Sequence, residues 1–366
     1  VLYYANGRSK EDAPFWANTV GKITNAGSSD EVNFLIQAVF PKDGIPGNPD
    51  TRADMRMYAY GSGGRVLRFH DEFSAKPTTG KSLAEFIIWS KTNFPAKKYM
   101  LILNGHGRNL GGTMEAKGLP GVLTMSELAS ALKKSGGIDL LYFESCLMQS
   151  VENAYRLRGL VSILAGSETA TTQTDHDFFL KALKNAPDST PVEVGQILTQ
   201  AMKSRYRLNK YRRRNNRMAA DIFALKQHFS IVDTQRMDTL VVAIKTWVDQ
   251  AILSQDVDSI LAARKKTCEI DFAQDEEIDL AVFVKNVART TKNQALQQAC
   301  AELLSSIDGV VLADAGQHDR SMGGLSVNMN LRIGKPSSYT QKYYQRKAGA
   351  FATESGWVEF LSWLAQ

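Results

Sequence analysis

Five apolar runs of strand length recur along the first half of the sequence, each followed by a stretch long enough for a helix. They are Val1–Ala5, Val32–Phe40, Tyr99–Asn104, Leu140–Glu144 and Val161–Ala165. Runs that are apolar on both faces, separated by helix-length connections, read as βαβ units around a parallel sheet. Right-handed crossovers place helices on both faces of that sheet. The helices are expected at Ala13–Asn25, Ser82–Asn93, Met125–Lys134, Cys146–Arg158 and Phe178–Lys184. One hairpin interrupts the series: Met55–Tyr60 and Arg65–Phe69, joined by Gly61-Ser62-Gly63-Gly64.

The texture changes after about residue 190. Helical stretches dominate at Val192–Leu208, Thr234–Leu253, Leu280–Thr290 and Asn293–Ser306. Late strands are expected at Phe229–Asp233, Gly309–Ala313 and Gly324–Met329. The end, Tyr339–Ala352 and then Trp357–Leu364, reads as helices docking through Trp357, Phe360 and Trp363. With 366 residues, and about 150 per domain, one core plus a large attached part is expected. We divide the chain into a core, 1–235, and a C-terminal α/β extension packed on it, 236–366. The stretch Lys203–Arg217, with eight basic residues, marks the change.

The 44 Lys and Arg against 38 Asp and Glu leave a net charge of +6, too mild to demand nucleic acid as a partner. The Lys203–Arg217 cluster lacks an aromatic stacking platform and reads as a solvated face. A hydrophobic fraction of 43% and a charged fraction of 22% exclude a disordered or coiled-coil chain. No apolar run approaches the ~20 residues that cross a bilayer. The sequence opens inside an apolar segment without Met, so a removed leader is expected, and with it a secreted, periplasmic or cell-surface location. The three cysteines, Cys146, Cys268 and Cys300, form no CxxC or CxxxH pattern, so no metal site is expected from them.

In open parallel sheets, sites form beyond the carboxyl ends of the strands. Two such ends stand out. Tyr99–Leu103 runs into Asn104-Gly105-His106-Gly107, and Leu140–Phe143 runs into Glu144-Ser145-Cys146-Leu147-Met148. The glycines around His106 permit a tight turn and close approach of another backbone. Cys146 is expected at the start of a helix, where a thiol pKa falls and the nucleophilic thiolate is favoured. One βα unit separates the two residues, so their side chains are expected at one sheet edge. A Cys–His pair within reach is the minimal set for covalent acyl transfer: the thiolate attacks a carbonyl and His106 protonates the leaving amine. The Gly107 and Cys146 amides are candidates for holding the oxyanion.

At these residues the sequence resembles the clostripain family of cysteine peptidases, in the clan of caspases, legumains, gingipains and separase. The family pattern is an apolar strand ending in Asn-Gly-His-Gly, then a strand ending in Asp-x-Cys-Leu-Met. Glu152–Leu157, Ala165-Gly166-Ser167-Glu168 and Gly323-Gly324-Leu325-Ser326-Val327 resemble its later segments. The resemblance implies a caspase-like α/β/α sandwich with a mostly parallel sheet, in which the helical extension adds strands. It implies His106 and Cys146 as the catalytic dyad of a hydrolase acting on proteins or peptides, cutting after Arg or Lys. Glu144 stands where the family has the Asp of the S1 pocket, the site for the residue preceding the cut bond. Asp175 and Asp177 are candidates for a second acidic contribution, and His176 reads as a loop residue. The family is made as a zymogen that cuts itself between the two motifs; here that segment is 107–124, with Lys117 the expected cut and Arg108 the other basic residue. The family also implies that calcium is a possible cofactor, although no EF-hand-like loop is visible and the acidic Asp271–Glu277 reads as a solvated turn. A monomer, uncut or cleaved into two chains, is expected. The alternative is a catalytically weak or inactive relative that binds peptides.

Overall fold

The expected strands form, and all but the one at Gly324–Met329 join in one sheet. The structure, a computed structural model, describes residues 1–10, 13–39, 55–59, 65–69, 79–116, 118, 121–215, 227–267, 270, 277–316 and 322–366. The strands are β1 (Leu2–Asn6), β2 (Phe34–Val39), β3 (Met55–Ala59), β4 (Val66–Phe69), β5 (Met100–Asn104), β6 (Ile138–Glu144), β7 (Val161–Ser167), β8 (His228–Asp233), β9 (Glu277–Asp279), β10 (Val311–Gly316) and β11 (Ser326–Asn328). Nine of them lie in the order β10-β8-β7-β6-β5-β1-β2-β3-β4, while β9 and β11 pair separately. The five central strands, β2 to β7 through β1, run parallel. The edges are antiparallel: the β3–β4 hairpin at one side, β8 and β10 at the other. This is the caspase-like α/β/α arrangement.

Strand alternation divides the core in two. Tyr3, Ile36, Ile102 and Tyr142 face one layer, made by α1 (Ala13–Ala26), α5 (His176–Asn185) and α6 (Pro191–Asn215). Leu2, Leu35, Leu101 and Phe143 face the other. That layer holds α2 (Gly80–Asn93), α3 (Met125–Lys134), α4 (Val151–Leu157) and α7 (Met237–Ser254), followed by α8 (Val257–Lys266), α9 (Leu280–Thr290) and α10 (Gln294–Val310). The chain ends in α11 (Tyr339–Ala348), α12 (Ala350–Glu354) and α13 (Trp357–Leu364). Trp357 and Phe360 are buried there against Trp247 of α7.

Four details differ from the sequence reading. The helix expected from Cys146 starts only at Val151, where Ser150 caps it by accepting from the Asn153 amide. Leu147 has φ +64°, which no helix tolerates, so 145–150 is a turn. Gly349, at φ +63°, splits the expected Tyr339–Ala352 helix in two. The basic stretch from Lys203, expected to mark the boundary, continues α6 through Asn215. Glu277 is buried in β9, not in a solvated turn; 271–276 lie outside the described residues, as does Cys268. Strands on both sides of residue 235 share the main sheet, because β10 pairs with β8.

Candidate active site

The two motif strands are direct neighbours. β5 and β6 pair in parallel with Asn104 opposite Glu144, so His106 and Cys146 each lie two residues beyond a matched pair. The following loops touch. A Cβ added to Gly107 would fall on the Cys146 carbonyl oxygen, with the Met148 side chain at 2.9 Å. Glycine is therefore required for the backbones to meet. Leu147 turns the chain sharply in the left-handed region, a costly conformation for a branched side chain. Its amide donates to the Thr169 carbonyl at 3.0 Å, which ties the Cys146 turn to the loop after β7.

That loop also holds the thiol. The Thr171 amide donates to Cys146 Sγ at 3.3 Å. Cys146 is partly exposed. Burial of its surroundings pushes the thiol up, and the Thr171 bond pulls it partly back. The expected activation by a helix N-terminus does not operate here, since α4 begins five residues later. Tyr206 of α6 is buried beside Thr171 and Cys146, and burial above all pushes its phenol up.

His106 is half-buried. Its amide and carbonyl pair with Glu115 at 3.1 and 3.2 Å, so the segment after the His motif folds back along it. Asn109, 1% exposed, clamps that segment. Its Oδ1 accepts from Ser150 Oγ at 2.7 Å and from Asn153 Nδ2 at 2.8 Å, and its Nδ2 donates to Glu277 of β9. The His loop, the start of α4 and the C-terminal part are thus fastened at one buried amide. Sequence reasoning missed Asn109; its signal was only its place two residues after the second motif glycine.

The three expected acidic residues do not present a common anionic site. Glu144 is 3% exposed. Its Oε1 accepts from the Thr174 amide at 2.9 Å and His176 Nε2 at 2.8 Å, and its Oε2 from Asn104 Nδ2 at 2.5 Å and Tyr3 OH at 3.4 Å. Burial alone would raise this carboxyl; His176, with the Thr174 and Asn104 bonds, holds it below the ordinary range. His176 is correspondingly not a loop residue. It is the first residue of α5 and 1% exposed. Asp175 caps α5 through the Phe178 amide and accepts from Ser204 Oγ at 2.7 Å. Asp177 is exposed and ion-paired with Lys22 at 2.9 Å.

Of the two expected cut positions, Arg108 sits in a turn: its amide bonds the Gly112 carbonyl, its carbonyl accepts from Gly111, and its guanidinium pairs with Glu115. Lys117 lies outside the described residues. Among the described residues no group of three or more His, Cys, Asp or Glu is placed to hold a metal ion. No helix among the described residues is long and apolar enough to cross a membrane.

The chain is similar to known proteins. The model of the clostripain family matches residues 71–363. Clostripain of Hathewaya histolytica is 31% identical over 91 residues, which are 21% of this chain and 17% of that protein, so this match spans well under two thirds of its length. Two crystal structures share the fold over nearly the whole chain. A secreted C11 cysteine protease from Bacteroides thetaiotaomicron, in complex with an irreversible peptide inhibitor, superposes with a TM-score of 0.68 at 16% identity, covering 98% of both chains. An inactive zymogen C11 protease from Parabacteroides distasonis gives 0.66 at 14% identity, covering 100% of this chain and 97% of that one. With the family model covering most of the chain and both motif loops meeting at one sheet edge, the chain belongs to the clostripain family of cysteine peptidases.

Proposed function

We propose that this peptidase is an endopeptidase in which Cys146 is the nucleophile and His106 the acid and base. The Cys146 thiolate adds to the scissile carbonyl, His106 protonates the departing amine, and water then releases the acyl group from sulfur with His106 taking its proton. The Gly107 and Cys146 amides are the proposed oxyanion donors. The observation that carries the reading is the contact of the two motif loops, with Gly107 seated on the Cys146 carbonyl. Protein or peptide substrates, a monomeric enzyme and secretion complete the proposal, the last in line with the secreted relative. The peptide-binding alternative draws no support from a site that retains both dyad residues.

Processing between the motifs belongs to the same proposal. Thr113–Ala116 runs alongside His106, with Met114 and Ala116 buried and Thr113 Oγ1 3.1 Å from Ser145 Oγ. The uncut chain therefore passes the dyad before leaving it near Gly118. Cutting within 107–124 frees this strap, and N-terminal sequencing of the heavier product locates the bond. An unchanged pair of bands in Lys117→Ala removes Lys117 as the cut. Preference for Arg or Lys in substrates rests on the family likeness and on the anionic Glu144; the four bonds on that carboxylate weigh against it. Loss of hydrolysis and of alkylation by a peptidyl chloromethyl ketone in Cys146→Ala tests the dyad. Retained activity overturns it.

A further inference from the structure

The segment after β7 holds the Cys146 turn through two main-chain groups. The Thr171 amide donates to Sγ at 3.3 Å, and the Thr169 carbonyl accepts from the Leu147 amide at 3.0 Å. A hydrogen bond to the charged form of a group favours that form. Where this segment sits therefore decides how readily the thiol becomes a thiolate. Beside the sulfur stand the buried Tyr206 phenol of α6 and, on the dyad reading, His106.

The segment is itself fastened one step further back, at His228. The antiparallel register of β7 and β8, with Ser167 opposite Phe229, brings Glu168 opposite His228. Thr169 Oγ1 accepts from the His228 amide at 2.9 Å, and the His228 carbonyl accepts from Ser167 Oγ at 2.6 Å. The ring adds an ion pair from Nδ1 to Glu168 at 2.8 Å. All four residues are at most 2% exposed. The Gly324 amide donates to the same Glu168 carboxylate at 3.2 Å, so the C-terminal part grips it too. The other ring nitrogen, Nε2, meets the exposed Asp314 of β10 at 3.2 Å. Asp279 lies near the ring, and Lys203 faces Asp314. The two ring nitrogens thus serve different elements: Nδ1 the loop behind the nucleophile, Nε2 the edge strand. We propose that His228 is a positioning residue for the nucleophile: through Glu168 and Thr169 it fixes the loop whose Thr171 amide holds the Cys146 sulfur. Buried as it is, it acts only through that loop. The proposal rests on the dyad reading above.

The test separates the two ring nitrogens. In His228→Asn the side-chain amide stands near the place of Nδ1 and still donates to Glu168. In His228→Gln it stands near that of Nε2 and reaches Asp314 instead. Each full-length variant is read by the pH dependence of Cys146 alkylation with iodoacetamide, located by peptide mass spectrometry, and by hydrolysis of a fluorogenic peptide. His228→Gln should raise the alkylation midpoint by about half a pH unit or more. Alkylation near about pH 8 and kcat should both fall at least threefold, whereas His228→Asn stays within twofold of the unaltered chain. Asp314→Asn removes only the edge-strand partner and should weaken resistance to urea while leaving the midpoint in place. An unmoved midpoint in His228→Gln, equal shifts in the Gln and Asn variants, or the same shift in Asp314→Asn overturns the proposal. If circular dichroism shows that His228→Gln does not fold, Thr169→Val and Thr169→Ser decide: loss of the hydroxyl should raise the midpoint and its return in Ser should restore it, and a Val variant without effect overturns the proposal. Alkylation reads the thiol whether or not peptides are cut. Failure of the dyad reading therefore looks different: the unaltered chain hydrolyses nothing, or Cys146→Ala still hydrolyses.

Discussion

Gly107 carries the tightest constraint at the site, because its missing side chain is what lets the His and Cys loops meet. Gly107→Ala would drive a methyl group into the Cys146 carbonyl and the Met148 side chain. The loops must part, and a misplacement of about 1 Å costs on the order of 100-fold in rate. We expect a loss of that size in kcat/KM, with the folded state retained by circular dichroism. The thiol makes a second prediction. Burial pushes Cys146 up, and the thiolate is the reactive form. Its fraction therefore grows as pH rises through and past the ordinary thiol range. Alkylation of the uncut chain by iodoacetamide should still accelerate between about pH 8 and 10; a rate already level below about pH 7 contradicts this.

At the scale of elements, the strands were legible because an apolar run needs no partner to be recognised. The two motif strands end where the sequence placed them, at Asn104 and Glu144. The start of α4 was not, because Cys146, Leu147 and Met148 extend its apolar pattern backwards. The stronger signal was the cap, Ser150 with Asn153 three residues on. Polar pairs left no trace of this kind. Glu144 and His176 lie 32 residues apart, and Asn109 and Glu277 lie 168 apart, so neither pairing has a periodicity to reveal it. The meeting of the His106 and Cys146 loops was readable because both residues follow strand ends with one crossover between them. The Asn109 clamp yields its own test. Asn109→Ala strips Ser150, Asn153 and Glu277 of a buried partner, at roughly 1–3 kcal/mol for a group left unsatisfied. Urea unfolding should register a loss in that range or above, and activity should fall with it, since the clamp orders both motif loops.

At the scale of the molecule, the C-terminal part is built into the sheet and not hung beside it. His228, at the start of β8, is ion-paired through Nδ1 to Glu168 after β7 at 2.8 Å and through Nε2 to Asp314 of β10 at 3.2 Å. Gly324 joins them: its amide donates to Glu168 at 3.2 Å and its carbonyl accepts from Ser230 Oγ at 2.6 Å. Burial alone would push His228 down, but Asp314 and Glu168 outweigh it and lift the imidazole to about 10. A pKa raised above its unfolded value gives stability that is complete below about pH 6.5 and is lost as pH rises through about 10. Replacing His228 by Gln breaks a buried ion pair, at roughly 3–5 kcal/mol, and that deficit should be full near pH 6 and close toward pH 10. A deficit independent of pH contradicts the charged assignment. The central claim, that the paired strand ends form a Cys–His peptidase site, is tested most directly by mass spectrometry of the full chain after a peptidyl chloromethyl ketone. The account predicts a single adduct on Cys146, absent in Cys146→Ala and slowed in His106→Ala together with hydrolysis. Hydrolysis that persists in Cys146→Ala, or labelling at another residue, contradicts it.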